Sequence, residues 1–85
     1  MSQIEKVLDQ VLHGSSDNNV EFSDIVKLIE KLGFQTRTKG SHHIFSMVGI
    51  EEIVNLQPRG SKAKAYQVRQ IRNIILKYKL AERVK

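Results

Sequence analysis

Two adjacent histidines, His42 and His43, follow Lys39, Gly40 and Ser41 in the middle of the chain. Imidazole takes up and releases a proton near neutral pH, and a neighbouring lysine stabilises negative charge that develops on a phosphate. This combination suits acid–base chemistry at a phosphodiester. The histidine pair also fits a purely structural role, in which one ring packs inside the fold and the other is solvated.

The Gly40-Ser41 pair likewise has two interpretations. It is either a simple hairpin turn or a place where backbone N–H groups and the Ser41 hydroxyl contact a phosphate, since glycine allows a ligand to approach the backbone. A metal site at His42 and His43 is not expected, because neighbouring strand residues point to opposite faces and no third ligand is nearby. His13, near the end of a predicted helix, receives no function.

Other cations are candidate contacts for nucleic acid. They are Arg37 and Lys39 close to the histidines, and Lys62, Lys64, Arg69 and Arg72 further along the chain. Each phosphate that such a side chain neutralises adds a salt-dependent contribution to affinity. The second group is equally compatible with an ordinary solvated face. Tyr66 and Tyr78 are too sparse to predict a platform for base stacking.

The charge of the 85-residue chain is unevenly distributed around its formal total of +5. Residues 1–33 carry three lysines against six acidic residues, a net −3, whereas residues 34–85 carry eleven cations against three acidic residues, a net +8. A basic segment attracts polyanions. Nucleic acid is favoured over a membrane surface, because neither a basic amphipathic membrane helix nor a lipidation signal accompanies the charge.

Length and composition exclude several classes of protein. A chain of this size forms one small core without a deep cavity, so any chemistry is expected on an open surface. The absence of cysteine excludes disulfides and thiolate metal sites. The longest aliphatic run, Ile74–Leu76, is far shorter than the roughly 20 residues of a membrane span. We expect a soluble cytoplasmic protein without a signal peptide or a small-molecule cofactor.

Apolar residues spaced three and four apart predict three helices. The first begins at a capping box on Ser2 and ends near His13, the second begins near Ser23 as its N-cap, and the third begins at about Ala65. Phe22, just before the second cap, is expected to pack onto the first turns of that helix.

Between the second and third helices the periodicity changes from about 3.6 to 2, which predicts strands. The predicted strands are Phe34–Lys39, His42–Val48 and Glu52–Leu56. Residues Pro58–Lys64 are predicted to form a basic loop. The order α-α-β-β-β-α indicates an α+β fold, in which helices pack on one face of a three-stranded antiparallel sheet.

Two segments of the chain resemble the HicA family of bacterial toxins. They are a helix ending in Leu32-Gly33-Phe34 and the run Lys39-Gly40-Ser41-His42-His43-Ile44-Phe45, followed by a short strand, a proline and a final helix. The resemblance spans Phe22–Leu80. It implies an α-β-β-β-α fold like the double-stranded-RNA-binding domain (dsRBD), ribosome-independent mRNA cleavage, and neutralisation by a HicB antitoxin.

The same resemblance subdivides the single domain expected over residues 1–85. Residues 1–19 are an extra N-terminal helical extension, residues 20–80 the HicA-like core, and residues 81–85 a C-terminal tail. The extension is either a structural addition or a feature that changes how an antitoxin docks.

The family's essential histidine lies in the Gly-Ser-His segment, which places it at His42 or, as in some members, one position later at His43. His42 is preferred. Many relatives carry another histidine two residues after the proline that follows the third strand, where this chain has Gly60. That departure weakens any mechanism based on two histidines.

The leading hypothesis is therefore a toxin that cleaves mRNA without a metal. His42 acts as general base or acid, and Lys39 and Arg37 contact the phosphate. A HicB-like antitoxin holds the toxin inactive. One alternative is a non-catalytic RNA-binding module of the same fold. Another is an interaction protein whose acidic first helix docks on a partner.

Overall fold

The computed structural model describes residues 3–84. Within this range the chain forms three α-helices, a three-stranded sheet and a separate two-stranded hairpin. The helices are α1 (Gln3–His13), α2 (Phe22–Lys31) and α3 (Ala65–Lys77). The strands are β1 (Gln35–Lys39), β2 (His42–Met47), β3 (Ile50–Leu56), β4 (Pro58–Arg59) and β5 (Lys62–Ala63). Short 3₁₀ turns lie at Asp17–Asn19 and Leu80–Arg83.

The first helix has the extent that its apolar spacing predicts. Val7, Leu8 and Val11 share its buried face. The helix ends before Gly14, whose φ of 72° is a conformation that glycine adopts without steric penalty. The predicted capping box depends on Ser2, which lies outside the described residues.

The second helix begins two residues earlier than predicted. Its N-cap is Glu21 and its first residue is Phe22, so the predicted N-cap at Ser23 is wrong. The reason is a set of bonds to a distant part of the chain. The Glu21 carboxylate accepts a hydrogen bond from Lys62 Nζ at 2.7 Å, and the Phe22 N–H donates to the Ser61 carbonyl at 2.9 Å. These contacts direct the chain into the helix, so Phe22 lies within it.

The three-stranded sheet has the order β1-β2-β3, and both strand pairs are antiparallel. Gly40-Ser41 is a two-residue turn, because Lys39 pairs directly with His42. The strand β3 starts at Ile50, two residues before the predicted start. It starts early because Val48-Gly49 is a second tight turn, which pairs the last residue of β2 with the first residue of β3.

The predicted basic loop at Pro58–Lys64 is wrong, because most of this segment forms the β4–β5 hairpin. Ala63 in β5 is buried, and its N–H donates to the Val20 carbonyl at 2.9 Å. Each strand contains only two residues. Such short strands have no measurable sequence periodicity, and the hairpin depends on backbone bonds to the chain before α2.

The helices cover one face of the sheet, which confirms the predicted α+β architecture. Buried side chains of the sheet meet those of all three helices in one core. They include Phe45, Val54 and Leu56 from the sheet, Leu8 and Val11 from α1, Ile25, Leu28 and Ile29 from α2, and Val68, Ile71 and Ile75 from α3. The other face of the sheet is left open.

A guanidinium group links the end of α1 to α3. Arg72 Nη1 donates to the Val11 carbonyl at 3.2 Å and to Asp17 Oδ1 at 3.0 Å. The Arg72 and Asp17 side chains are only 19% and 13% exposed. A Cβ on Gly14 would lie 2.9 Å from Arg72 Nη1, so the glycine leaves room for this contact.

Candidate active site

The β1–β2 hairpin places His42 beside the two predicted phosphate-binding cations. Lys39 is the direct cross-strand partner of His42, and Arg37 is the partner of Ile44. Since side chains alternate between faces along a strand, Arg37, Lys39 and His42 all lie on the face away from the helices. All three residues are exposed. The predicted histidine–cation group is thus brought together on an open surface.

A hydrogen bond orients the His42 ring. Its Nδ1 lies 3.1 Å from Asn55 Oδ1. Because an amide oxygen only accepts, the neutral tautomer that makes this bond carries its proton on Nδ1 and leaves the lone pair of Nε2 free. Sequence reasoning missed Asn55, since its position beside His42 follows only from the β2–β3 register, in which Ile44 is paired with Asn55.

His43 has different surroundings. Its ring meets Phe22 of α2 edge to face, with ring centroids 5.1 Å apart and planes inclined at 65°. It is half-buried on the helix-covered face. The two histidines therefore differ in exposure and in partners.

The turn before the histidines leaves its backbone accessible. Gly40 has a φ of 61°, and a Cβ built on it would meet no atom within 4 Å. Glycine is therefore favoured there by its backbone conformation and not by crowding. Ser41 Oγ accepts a hydrogen bond from Gln57 Nε2 at 3.4 Å. This geometry is compatible with a simple turn and with a phosphate contact.

Most of the second predicted group of cations lines an open groove of about 590 Å³. Its lining includes Lys62, Lys64 and Arg69, together with Arg59, which the sequence prediction did not include. Lys62 is paired with Glu21. Lys64 and Arg69 have no ion-pair partner among residues 3–84. We call this the basic groove.

Arg72 does not line the basic groove. Its guanidinium is bound to Asp17 and to the Val11 carbonyl beneath the end of α1. The side chain is therefore engaged within the fold, and it differs in this respect from the other predicted RNA contacts.

A second concavity, of about 290 Å³, lies beside His42 and is called here the His42 groove. Its lining is His42, Ile53, Asn55, Gln57, Tyr66, Gln67 and Gln70. Gln67 Nε2 donates to the Asn55 carbonyl at 3.1 Å, so α3 holds the strand residue that orients the histidine. Sequence reasoning missed Gln67 and set Tyr66 aside as a base-stacking residue, because only the packing of α3 against β3 brings them to this groove.

Glu52, an acidic residue of the basic half, is bound by two donors. The Tyr78 hydroxyl donates to Glu52 Oε1 at 2.6 Å, and Lys77 Nζ donates to Oε2 at 3.0 Å. The hydrogen bond from Tyr78, followed by that from Lys77, lowers the pKa of the Glu52 carboxyl below its ordinary value. The hydrogen bond to Glu52 raises the pKa of Lys77.

Neither a metal cluster nor a membrane span is present in the described range. Among residues 3–84, no three histidine, aspartate or glutamate side chains are grouped closely enough to hold a metal ion. Within the same range no helix has the length and apolarity that crossing a bilayer requires.

Comparison with models of known protein families identifies the family of this chain. The model of the family described as the HicA toxin of bacterial toxin–antitoxin systems matches residues 22–79. Searches of curated proteins and of solved structures found no significant match. The matched range begins with α2 and includes both grooves apart from Asn18. Because the family model covers more than half of the chain, this protein belongs to the HicA family of bacterial toxins.

Proposed function

We propose that this protein is a metal-independent endoribonuclease that cleaves mRNA, with His42 as its general base. The observation that carries the proposal is the pairing of Lys39 with His42 on the open face, where the Asn55 bond leaves Nε2 of the ring free. Membership of the HicA family supports the role of a toxin with an antitoxin partner.

The proposed reaction is an attack of the RNA on its own backbone. His42 Nε2 takes the proton of a ribose 2′-hydroxyl, the 2′-oxygen bonds to the adjacent phosphorus, and the bond from phosphorus to the 5′-oxygen breaks. The departing oxygen takes a proton from the imidazolium or from water. The products are a 2′,3′-cyclic phosphate and a 5′-hydroxyl. General base catalysis of this kind accelerates a reaction by about 10²–10⁴-fold.

Cations on the neighbouring strand support the same step. Lys39 is paired directly with His42, and Arg37 lies two residues away on the same face. A lysine and an arginine stabilise the extra negative charge of the phosphorane. Gly40 and Ser41, at the tip of this hairpin, add a backbone and a hydroxyl contact to the same or the next phosphate.

The position where many relatives carry another histidine is Gly60, at the tip of the β4–β5 hairpin. Its φ of 61° favours glycine, and this residue has no group that transfers a proton. The proposed mechanism therefore uses one histidine, and we expect slow cleavage compared with a nuclease that has two.

The basic groove is the proposed path of the RNA backbone. Lys64 and Arg69 each neutralise a phosphate. Lys62 adds positive charge to the groove while it remains paired with Glu21. Such contacts bind RNA of any sequence and release counterions, so the affinity falls with salt.

The proposed antitoxin is a HicB-like protein that covers the open face of the sheet and the basic groove. Ile53 on this face is 62% exposed beside His42, which suits an apolar anchor from the partner. An antitoxin bound there would exclude RNA from both grooves. Because mRNA is the substrate, the proposed site of action is the cytoplasm.

The chemistry is tested by incubating the purified protein with an end-labelled RNA in the presence of EDTA. We expect fragments ending in a 2′,3′-cyclic phosphate and no cleavage of the same RNA with 2′-deoxyribose at the cleaved position. The His42→Ala variant is the control for contaminating nucleases. The proposal would be contradicted if the 2′-deoxy substrate were cleaved, or if the RNA were not cleaved.

A further inference from the structure

We infer that the His42 groove is a nucleobase subsite, in which a base of single-stranded RNA stacks on the ring of Tyr66. The inference rests on the proposed function for the identity of RNA as substrate. It adds a residue that binds a base, whereas the cations of the basic groove bind only phosphates.

The first observation is the position of Tyr66, which lines both grooves. It follows the first residue of α3, and 57% of it is exposed. An RNA strand whose phosphates lie against Lys64 and Arg69 must pass Tyr66 to reach His42. Aromatic rings in such positions stack on bases of any type, since every base has a π-face.

The second observation is a buried side chain that holds Tyr66 beside His42. Gln67 is only 2% exposed, and its Nε2 donates to the Asn55 carbonyl at 3.1 Å and to the Tyr66 hydroxyl at 3.5 Å. The same side chain thus contacts the strand residue that orients His42 and the ring on which the base stacks. The ring is therefore held in place before RNA binds.

The groove also has an apolar surface. Ile53 lines it and is 62% exposed, so a base that stacks on Tyr66 packs against this side chain as well.

The test measures RNA binding in a His42→Ala background, so that the substrate stays intact. A set of short RNAs, each with an abasic residue at one position, is titrated against this variant. One abasic position is expected to weaken binding by about tenfold, the usual scale of base–aromatic stacking.

The same RNAs are then titrated against the His42→Ala, Tyr66→Ala double variant. If the base stacks on Tyr66, the abasic residue causes no further loss, because both changes remove one contact. A Tyr66→Phe change is the matched control, and it is expected to keep the abasic penalty because it keeps the ring.

Three results would overturn the subsite. They are unchanged RNA affinity after Tyr66→Ala, additive losses from the variant and the abasic residue, and a loss of antitoxin affinity after Tyr66→Ala without a loss of RNA affinity. These results would leave the proposed nuclease in place. Absence of RNA cleavage by the unmodified protein would instead overturn the proposed function.

Discussion

Two hairpins of this protein have nearly the same turn and very different uses. In Lys39–His42 and in Arg59–Lys62, a Gly-Ser pair lies between two residues that carry or can acquire positive charge. The glycines Gly40 and Gly60 both have a φ of 61°, and both have open space around the missing side chain. The local turn chemistry is therefore the same in both places.

The two turns differ in the strands that they join. The first turn joins strands of five and six residues in a three-stranded sheet, whereas the second joins strands of two residues each. The second hairpin is held instead by Ser61 and Ala63, which bond to the chain before and at the start of α2. The first turn positions a histidine against a structured surface, and the second positions cations along a groove.

In both hairpins the turn itself fixes only the geometry of the tip. The catalytic potential of the first hairpin depends on β3, which supplies Asn55 beside His42. Within residues 3–84 the second hairpin pairs with no third strand, and Lys62 is oriented by Glu21 of the chain before α2.

The difference between the hairpins is tested most strongly by Gly40→Ala and Gly60→Ala. An alanine at positive φ costs about 1–2 kcal/mol, so the two variants should lose similar amounts of stability in urea unfolding. Only Gly40→Ala should also lower the single-turnover rate of RNA cleavage, by about tenfold or more, because its turn sets His42 beside Lys39. An equal loss of rate in Gly60→Ala would contradict the distinct roles.

A smaller effect on the cleavage rate is expected from replacing Asn55, the residue that orients His42. Asn55→Ala removes the acceptor of Nδ1 and should lower the cleavage rate severalfold, with little change in RNA affinity. Asn55→Asp keeps an acceptor but adds a negative charge that favours imidazolium, so the acidic limb of the pH–rate profile should move to higher pH. An unmoved profile in Asn55→Asp would show that this bond does not act on the reacting ring.

The role of the basic groove is tested by the salt dependence of RNA affinity. Lys64→Ala together with Arg69→Ala should reduce the slope of log affinity against log salt by about 0.7 for each phosphate that the variant no longer neutralises. Lys27→Ala together with Lys31→Ala, both at exposed positions of α2, removes two positive charges outside the groove and should leave the slope unchanged. Equal slopes in the groove variant and the unmodified protein would place the RNA elsewhere.

The smallest effect concerns stability and lies outside both hairpins. The Tyr78 hydroxyl lowers the pKa of Glu52, so this bond stabilises the fold above the ordinary pKa of a glutamate and the contribution is lost as pH falls through the lowered value. Tyr78→Phe should therefore lower the unfolding midpoint at pH 7 and lower it less at pH 3. If Tyr78→Phe lowered the unfolding midpoint equally at both pH values, the charged carboxylate would be excluded as the source of the effect.

The sequence predicted the features that depend on neighbouring residues. Alternation along β2 separated His42 from His43, and Gly40-Ser41 defined a turn that paired Lys39 with His42. The apolar spacing also located the three helices, because a buried helical face repeats about every 3.6 residues.

The sequence did not reveal features that depend on long-range contacts. Asn55 is brought to His42 by strand register, and Gln67 reaches Asn55 only when α3 packs beside β3. The β4–β5 hairpin was missed because its strands are too short for a pattern. Arg72 looked like its neighbours on α3, but its partner Asp17 lies 55 positions earlier in the chain.

The central claim is that the solvent-exposed His42 performs the chemistry and the packed His43 does not. The most direct measurement compares the rates at which folded His42→Ala and His43→Ala cleave the same labelled RNA. We predict a reduction of about 10²–10⁴-fold for His42→Ala. For His43→Ala we predict a nearly unchanged rate with a decrease in stability of about 1 kcal/mol, since its ring no longer packs on Phe22. An unchanged rate for His42→Ala, or an abolished rate for folded His43→Ala, would contradict this claim.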